Sequence, residues 1–212
     1  MIARSPQRTT LSGRYTRLEP LDPARHLGDL WPRVGGEQNT ALWTWMPDGP
    51  YLSKADVEAG LKAKAATSDP LFFTVIDQSS GHAVGIASLM RIDAKNGVIE
   101  VGGIMYSHEL QRSRVATEAM YLFAGYVFED LGNRRYEWKC NALNEPSRRA
   151  ALRLGFQFEG IFRQHMMIKG QNRDTAWFSM LDSEWPARKA AFERWLDPAN
   201  FDSNGNQLSR LA

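Results

Sequence analysis

Two periods of apolar residues alternate along this chain of 212 residues. Short runs that are continuously apolar, or that alternate with polar residues, predict β-strands, whereas apolar residues three or four positions apart predict helices. The stretches LFFTVID, AVGIASLMRI and IEVGGIMYS are strand-like and are separated by turn sequences, so they predict an antiparallel meander. In the second turn, Asn96 and Gly97 both tolerate a positive φ, which favours a tight hairpin.

The helical pattern is clearest in the middle of the chain. A long helix is predicted from five apolar residues at helical spacing: Ala116, Met120, Phe123, Val127 and Leu131. Gly132 follows at a position typical of a helix end. Two further helices are predicted in SKADVEAGLKAKAAT, with Ser53 as N-cap, and in EPSRRAALRL, with Asn144 as N-cap. A short early helix after Pro23 and a last helix near Pro186 complete the set.

The remaining strands flank these helices. GRYTRLEPL predicts an early strand, and FQFEGIFRQHMMI and DTAWFSML predict a closing hairpin. RRYEWKCNA predicts a strand with Tyr136, Trp138 and Cys140 on one apolar face, so Cys140 is expected to be a buried structural thiol. Strands and helices interleave, but the hairpin turns make much of the sheet antiparallel. The predicted fold class is therefore α/β (α+β) with a mixed, mostly antiparallel sheet. It forms a single domain over residues 1–198, followed by a polar tail over residues 199–212.

The composition is that of an ordinary globular protein, 43% hydrophobic and 24% charged. A net charge of +2 does not indicate a general nucleic-acid binder. No apolar run approaches the ~18 residues of a membrane span, and the N-terminus lacks the apolar stretch of a signal peptide. Cys140 is the only cysteine, so no intrachain disulfide can form. We therefore expect a cytoplasmic protein that binds neither nucleic acid nor membrane.

The segment ELQRSRVATEA, residues 109–119, joins a predicted strand to the start of the long helix. Free backbone N–H groups and the helix dipole make such a helix start a site for anions. Residues 113–117 would present successive amides, and Ala116 is small enough for close approach. Arginine would add bidentate phosphate contacts. A plain loop with two exposed arginines, Arg112 and Arg114, has the same spacing, so the pattern alone leaves both interpretations open.

Several motifs resemble those of one known family. QRSRVATEA is similar to the acetyl-coenzyme A (acetyl-CoA) pyrophosphate loop of the GNAT acyltransferase superfamily, with Gln111 at its first position and Ala116 at its last. That family has glycine where this chain has Arg114, and its ribosomal-protein N-acetyltransferase (RimJ/RimL-type) branch commonly has glycine at Arg112.

NALNEPSRRAALRLGFQFEG resembles a second segment of the same branch. Its matched positions are Asn144, Ser147, Gly155, Phe156, Glu159 and Gly160. IEVGGI and LWTWMPDGPY resemble two further segments, and the matches run in the same order as in the family, from Tyr15 to Trp185.

The resemblance implies seven strands in a mixed sheet that is splayed between IEVGGIMYS and RRYEWKCNA. It also implies acetyl-CoA as a co-substrate bound in that splay, and no metal. The residues assigned to acetyl-CoA on this basis are Ile104, Met105, Tyr106, Gln111, Arg112, Ser113, Arg114, Val115, Ala116, Thr117, Asn144 and Ser147. The pyrophosphate is expected on the amides of residues 112–117, and Arg112 or Arg114 is a candidate to reach a phosphate.

The implied activity is direct transfer of an acetyl group to a primary amine, which needs a neutral amine and a proton for the departing thiolate. Glu100 is the candidate base, because a lone carboxylate in an apolar strand is paired, hydrated or functional. The alternative is a structural partner for an arginine. Ser147 is the candidate acid, because Ala151 occupies the position of the tyrosine acid of many GNAT enzymes; the alternative is a plain helix-start residue. Tyr106 is a fallback acid and His165 a reserve base.

Trp43, Trp45 and Tyr51 lie on a loop, where aromatic residues are less readily explained as core. With His165 they are the predicted acceptor-site residues, and the alternative is that they only cover the sheet edge. The acceptor stays open among a protein N-terminus, a free amino acid and a small amine. Two other functions stay open: an acyltransferase that uses succinyl-CoA or another acyl-CoA, and a non-catalytic CoA-binding module. A homodimer is compatible with the resemblance.

Overall fold

The computed structural model describes residues 2–203 and 205–211. The strands are β1 (Leu11–Ser12), β2 (Thr16–Pro20), β3 (Leu71–Asp77), β4 (Ala83–Asp93), β5 (Val98–Tyr106), β6 (Arg135–Asn141), β7 (Gln157–Ile168) and β8 (Gln171–Leu181). The helices are α1 (Pro23–Val34), α2 (Lys54–Ala65), α3 (Arg114–Gly125), α4 (Glu145–Arg153) and α5 (Trp185–Leu196). Short 3₁₀ helices (Glu37–Trp43 and Pro198–Asn200) follow α1 and α5, and a π-helical turn (Tyr126–Asp130) continues α3. Residue 1 of the predicted domain and residues 204 and 212 of the predicted tail lie outside the described residues.

The strands form one open sheet in the order β1-β2-β3-β4-β5-β6-β8-β7. Every neighbouring pair is antiparallel except β5 and β6. The parallel pairing begins at Val98 with Arg135 and stops at Val101 with Trp138, although both strands continue beyond that point. The sheet therefore opens between the C-terminal halves of β5 and β6, as the resemblance implies.

The mixed, mostly antiparallel sheet is confirmed, but it has eight strands in the described residues and not seven. The additional strand, β1, is only two residues long and pairs with β2. A carboxylate from α3 holds the turn between them: Glu118 accepts hydrogen bonds of 2.6 to 2.8 Å from the amides of Arg14, Tyr15 and Thr16. Two residues carry too little periodicity to be recognised as a strand in the sequence.

A β-bulge bends β5 at the start of the opening. Between Gly102 and Met105, β5 carries one residue more than β4. Such an extra residue bends the strand that carries it and interrupts its pairing. Gly103 lies in the bulge with φ +57°, and a Cβ atom at this position would lie 2.9 Å from a ring carbon of Phe72. Glycine at residue 103 is therefore required both by the backbone conformation and by the close neighbour.

Helices cover both faces of the sheet. On one face, α3 and α5 pack on a core that includes Tyr136 and Phe178 from the strands. On the other face, α1 and α2 bury a second core around Leu30. Because side chains alternate along a strand, Glu137 and Lys139 of β6 lie on this second face. None of the helices in residues 2–203 and 205–211 has the length and apolar character needed to cross a membrane.

The predicted N-caps of α2 and α4 are confirmed. The hydroxyl of Ser53 accepts from the amide of Asp56 at 3.1 Å, and the Asp56 carboxylate accepts in return from the amide of Ser53, which makes a capping box. The Asn144 side chain accepts from the amide of Ser147 at 3.2 Å. This cap fixes where α4 begins, and therefore where Ser147 lies relative to β6.

Candidate active site

The loop between β5 and α3 leaves three backbone amides without an acceptor. In the described part of the chain, no hydrogen bond is made by the N–H groups of Arg112, Arg114 and Val115. The other amides of residues 112–117 donate within the loop, two of them to Ser113, the N-cap of α3. The start of α3 thus offers an anion three donors where six were expected, together with the helix dipole.

Arg112 adopts a left-handed backbone conformation, with φ +61°. This is the position at which the RimJ/RimL-type branch commonly has glycine, so the loop keeps a conformation that costs a non-glycine residue about 1 kcal/mol. The Arg112 side chain is exposed and forms no hydrogen bond or ion pair with other described residues. Gln111 ties the loop to β5, because its Nε2 donates to the carbonyl of Tyr106 at 3.1 Å.

Two further arginines flank the start of α3, and both lie over aromatic rings. The Arg114 guanidinium lies 4.8 Å from the ring centre of Tyr15 and 5.4 Å from that of Phe201, a residue of the predicted tail. The Arg153 guanidinium lies 4.8 Å from the ring centre of Trp195, and burial lowers the pKa of Arg153. Within the described residues neither arginine has a carboxylate partner. Positive charge therefore surrounds the free amides, while the Arg114 side chain is already engaged.

Glu100 is buried on the face of β5 opposite to α3. Its Oε2 accepts from Arg91 Nη1 at 2.7 Å and lies 2.9 Å from Lys139 Nζ. Its Oε1 has no partner among the described residues and lies beside Gly102, where a Cβ atom would be 3.4 Å from it. Glu100 therefore pairs with an arginine, as expected if its role is structural. It also keeps one free oxygen at the opening of the sheet, so its role as base stays a prediction that this geometry permits.

Lys139 connects the two buried carboxylates of this face. Its Nζ lies 2.9 Å from Glu100 and 2.6 Å from Glu137, and 3.8 Å from the ring centre of Trp177. Neither Lys139 nor Arg91, the second cation on Glu100, was predicted from the sequence as a site residue. A signal existed in RRYEWKCNA, where opposite charges alternate on one face of a strand whose other face is apolar. Such charges on a central strand must pair when they are buried.

Ser147 lies against β6, at the side of the opening that this strand forms. Its Oγ accepts from Trp138 Nε1 at 3.0 Å, and Trp138 is the last residue of β6 that pairs with β5. The thiol of Cys140 lies near this hydroxyl. Burial raises the pKa of the Cys140 thiol, which suits a structural residue. Asn144 uses its Oδ1 for the helix cap, so its Nδ2 group is left without a partner among the described residues.

The three predicted residues at the end of β5 differ in their surroundings. The Met105 side chain is buried in the core under α1 and α2, so only its backbone can face the opening. Ile104 and Tyr106 pack against the core on the side of α3. The Tyr106 hydroxyl is buried without a partner in the described residues, and burial raises its pKa well above the usual range. Tyr106 is therefore a poor proton donor at neutral pH.

The predicted acceptor-site aromatics divide into two kinds. Trp43 is buried, its Nε1 donates to the carbonyl of Val34 at 2.7 Å, and its ring centre lies 4.7 Å from that of Tyr51. The Tyr51 hydroxyl donates to Asp48 at 2.8 Å, and burial, reinforced by this carboxylate, raises the pKa of Tyr51 to about 12. Trp45 by contrast is 39% exposed. Trp43 and Tyr51 stabilise the loop, and Trp45 is the aromatic side chain that remains accessible.

A cleft of about 320 Å³ separates this loop from the turn between β7 and β8. Trp45 lies on one wall, and Asn141, Lys169 and Arg173 lie on the other. Lys169 bridges the two walls, because its Nζ donates to the carbonyl of Trp43 at 3.0 Å. The cleft opens on the same face of the sheet as Lys139. An acceptor in the cleft could approach Glu100 from this face.

His165 lies in a bulge of β7, between the residues that pair with Thr175 and Arg173 of β8. Its Nδ1 is 3.0 Å from Thr175 Oγ1, which also accepts from Arg173 Nε at 3.1 Å. Its ring centre lies 5.6 Å from that of Phe162 and 5.9 Å from that of Trp177. Trp177 also lies under the Lys139 ammonium, which is paired with Glu100. The Trp177 ring therefore lies between His165 and the Lys139–Glu100 pair.

Comparisons with known proteins identify relatives of this arrangement. Residues 16–157 match the family described as the acetyltransferase (GNAT) domain. A GCN5-related N-acetyltransferase structure from Brucella melitensis is 52% identical, with a TM-score of 0.96 over 99% of this chain and 95% of that one. A probable acetyltransferase of the GNAT family from Chromobacterium violaceum is 37% identical, with a TM-score of 0.81 over 88% of this chain and 92% of that one.

A further relative is the uncharacterized N-acetyltransferase p20 of Bacillus licheniformis. It is 31% identical over 117 residues, which are 53% of this chain and 63% of the relative. The chain thus spans less than two thirds of that protein's length.

Proposed function

The chain belongs to the GNAT acetyltransferase family, and we propose that it transfers an acetyl group from acetyl-CoA directly to a primary amine. One observation carries the proposal. The opening between β5 and β6 has free amides of a helix start at one side and the unpaired Oε1 of Glu100 at the other. An anion-binding site and a proton acceptor on the two sides of one gap are what acyl transfer from a phosphate-bearing donor needs.

The donor would be held at three places. The amides of Arg112, Arg114 and Val115 would bind the pyrophosphate, and the exposed Arg112 guanidinium would add charge. The unpaired backbone at the end of β5 would bind the pantetheine chain, with the Nδ2 group of Asn144 as a further donor. Acetyl-CoA supplies the acetyl group as a thioester.

Glu100 and Ser147 would move the protons. The Oε1 of Glu100 would accept a proton from the amine, directly or through one water, as the amine attacks the thioester carbonyl. The Ser147 hydroxyl would donate to the departing sulfur, since its oxygen already accepts from Trp138 and its own proton is free to point elsewhere. His165 is further from the opening, and Tyr106 holds its proton too tightly, so neither is assigned a step.

The acceptor is proposed by class: a protein N-terminus, a free amino acid or a small amine. Membership of the RimJ/RimL-type branch rests on the two motifs that contain Gln111 and Asn144. A cytoplasmic location is part of the same proposal, on the strength of the single cysteine, Cys140. Homodimerisation stays a prediction.

The test starts with calorimetric titration of the protein with acetyl-CoA at low and moderate salt. We expect binding that weakens with salt, and a roughly three- to tenfold weaker, less salt-dependent affinity for Arg112→Gly, which keeps the loop conformation and removes one charge. Arg163→Gly, at an exposed arginine of the edge strand β7, is the matched control and should bind like the wild type. No binding at millimolar acetyl-CoA would contradict the proposal.

Turnover is then measured by thiol release with a panel of amines, using acetyl-CoA and succinyl-CoA in parallel. A clear preference for acetyl-CoA supports the proposal, and a preference for succinyl-CoA would replace the donor. Tight acetyl-CoA binding without thiol release from any amine would favour a non-catalytic CoA-binding module.

A further inference from the structure

Arg173 is a half-buried cation at the acceptor cleft with no acidic partner. It lies at the start of β8, and its Nε donates to Thr175 Oγ1 at 3.1 Å. In residues 2–203 and 205–211 no carboxylate forms an ion pair with it. Arg135, on the neighbouring strand, is different, because it binds the carboxylates of both Glu137 and Glu159. Both Nη groups of Arg173 are therefore left to bind something else.

An uncompensated guanidinium in such a position costs stability. Burial lowers the pKa of Arg173, which means that its surroundings disfavour the charge. The group stays protonated at any ordinary pH, so the cost is not relieved by loss of a proton. A ligand carboxylate in the cleft would supply the missing anion, and arginine binds carboxylates in a bidentate geometry.

The cleft itself favours an anion. Lys169 and Arg173 both line it, and no aspartate or glutamate among the described residues does. Asn141, which also lines the cleft, lies on the same face of β6 as Lys139, and Lys139 is 2.9 Å from Glu100. The cleft that holds Arg173 therefore opens on the face of the sheet that carries the proposed base. A volume of about 320 Å³ admits an amino acid or the first residues of a peptide.

We propose that the acceptor carries a carboxylate in addition to its reacting amine, and that Arg173 binds this carboxylate while the amine faces Glu100. This inference rests on the proposed acyl transfer and names the substrate class for it. The carboxylate is either the α-carboxylate of a free amino acid or an acidic side chain near the N-terminus of a peptide. Both present the same group to Arg173, and the experiment separates them.

The experiment compares matched acceptors with and without a carboxylate, using acetyl-CoA and thiol detection. One pair is alanine and alaninamide, and the other is alanyl-glutamyl-alaninamide and alanyl-glutaminyl-alaninamide. The measured quantity is the ratio of kcat/KM values within a pair, for the wild type and for Arg173→Gln. Comparing the two proteins cancels the different basicities of the amines.

We expect the ratio to fall at least tenfold in Arg173→Gln for one pair, mainly through KM, with little change for the neutral acceptor. A fall in the first pair identifies a free amino acid, and a fall in the second identifies an acidic peptide. Arg173→Lys should recover part of the preference, because it restores the charge without the bidentate geometry. Arg194→Gln, at an exposed arginine of α5, should behave like the wild type.

An unchanged ratio in both pairs would overturn the inference and leave the acyl transfer intact. So would an effect of Arg173→Gln on the choice between acetyl-CoA and succinyl-CoA alone, which would assign Arg173 to the donor. If no acceptor turns over, calorimetry of the CoA-loaded protein with the N-acetylated form of each compound in both pairs decides. Tighter binding of the carboxylate compound in either pair that is lost in Arg173→Gln supports the inference, and equal binding within both pairs overturns it.

Discussion

The Glu100 carboxylate and the Lys139 ammonium lie 2.9 Å apart on neighbouring parallel strands, next to the last pair of residues that joins those strands. Glu100 pairs in register with Glu137, so two buried carboxylates face each other across the ladder. Like charges in that position repel, and Lys139 bridges them. Because both cations bind only Oε2 of Glu100, its Oε1 stays available at the opening.

Glu100→Gln should lower kcat by about a hundred- to a thousandfold, because an amide cannot accept the amine proton. The KM for acetyl-CoA should change little. Steady-state thiol release measures both parameters. Glu137→Gln is the matched control, since it also removes a carboxylate from Lys139, but both oxygens of Glu137 are already paired, with Arg135 and Lys139. Equal losses in the two variants would mean that the charge cluster matters only for folding.

Ser147→Ala should lower kcat about ten- to a hundredfold if the hydroxyl protonates the departing thiolate. The start of α4 should be unaffected, because Asn144 caps it through the backbone amide of Ser147. The free energy of unfolding should fall by about 1–3 kcal/mol, because the buried N–H of Trp138 loses its acceptor. Single-turnover kinetics with thioesters of different thiol pKa gives the sharper reading.

The loss of rate in Ser147→Ala should grow as the leaving thiol becomes more basic. Trp138→Phe keeps an aromatic ring at this position and removes the N–H that holds the hydroxyl. It should show a smaller loss with the same trend. A uniform loss across all thioesters would rule out proton donation by Ser147.

The sequence predicted what depends on near neighbours along the chain. The caps at Ser53 and Asn144, and the turn at Gly97, follow from chemistry within three or four residues, and the structure confirms the caps. The splay between β5 and β6 came from motif resemblance, because the residue that bends β5, Gly103, is one glycine of two in IEVGGI and carries no signal of its own.

Side-chain partners across the sheet were out of reach of the sequence. Arg91 lies nine positions before Glu100 along the chain, and only the β4–β5 pairing brings them together. Trp43 and Trp45 look equivalent in LWTWMPDGPY, yet Trp43 is buried and Trp45 is exposed. The conformation of the loop determines which tryptophan is buried. Ser113 accepts hydrogen bonds from the amides of two residues at the start of α3, which leaves fewer free amides than the sequence predicted.

Gly103→Ala should close the opening in part. A Cβ atom there meets the Phe72 ring at 2.9 Å and the Ser88 hydroxyl at 3.1 Å, with φ +57°. We expect a loss of about 2–4 kcal/mol in the free energy of unfolding and a weaker affinity for acetyl-CoA. Gly81→Ala is the control, because Gly81 has φ +75° with nothing within 4 Å. It should lose about 1 kcal/mol, from backbone strain alone, and bind acetyl-CoA normally. Equal effects of the two variants on affinity would exclude a role for the bulge.

Glu159 should make the stability depend on pH in the acid range. Arg135 donates to it twice, at 2.7 and 2.5 Å, and Ser179 donates at 2.6 Å. The hydrogen bonds from Arg135, more than any other cause, lower the pKa of Glu159 from 4.5 to about 2. A lowered carboxyl pKa stabilises the folded state above pH 4.5, and this contribution is lost as the pH falls from there towards 2.

Glu159→Gln should therefore lower the free energy of unfolding by only about 0.5–1 kcal/mol at pH 7, because the carboxylate is partly exposed and its attraction is screened. The difference from the wild type should shrink as the pH is lowered through 4.5. Urea unfolding at several pH values between 7 and the acid limit of the folded state measures it. Glu58→Gln, in an exposed pair with Lys62, removes the same charge and should show a much weaker dependence. A difference that stays constant with pH would mean that packing of the Glu159 side chain, and not its charge, stabilises the β6–β8–β7 edge.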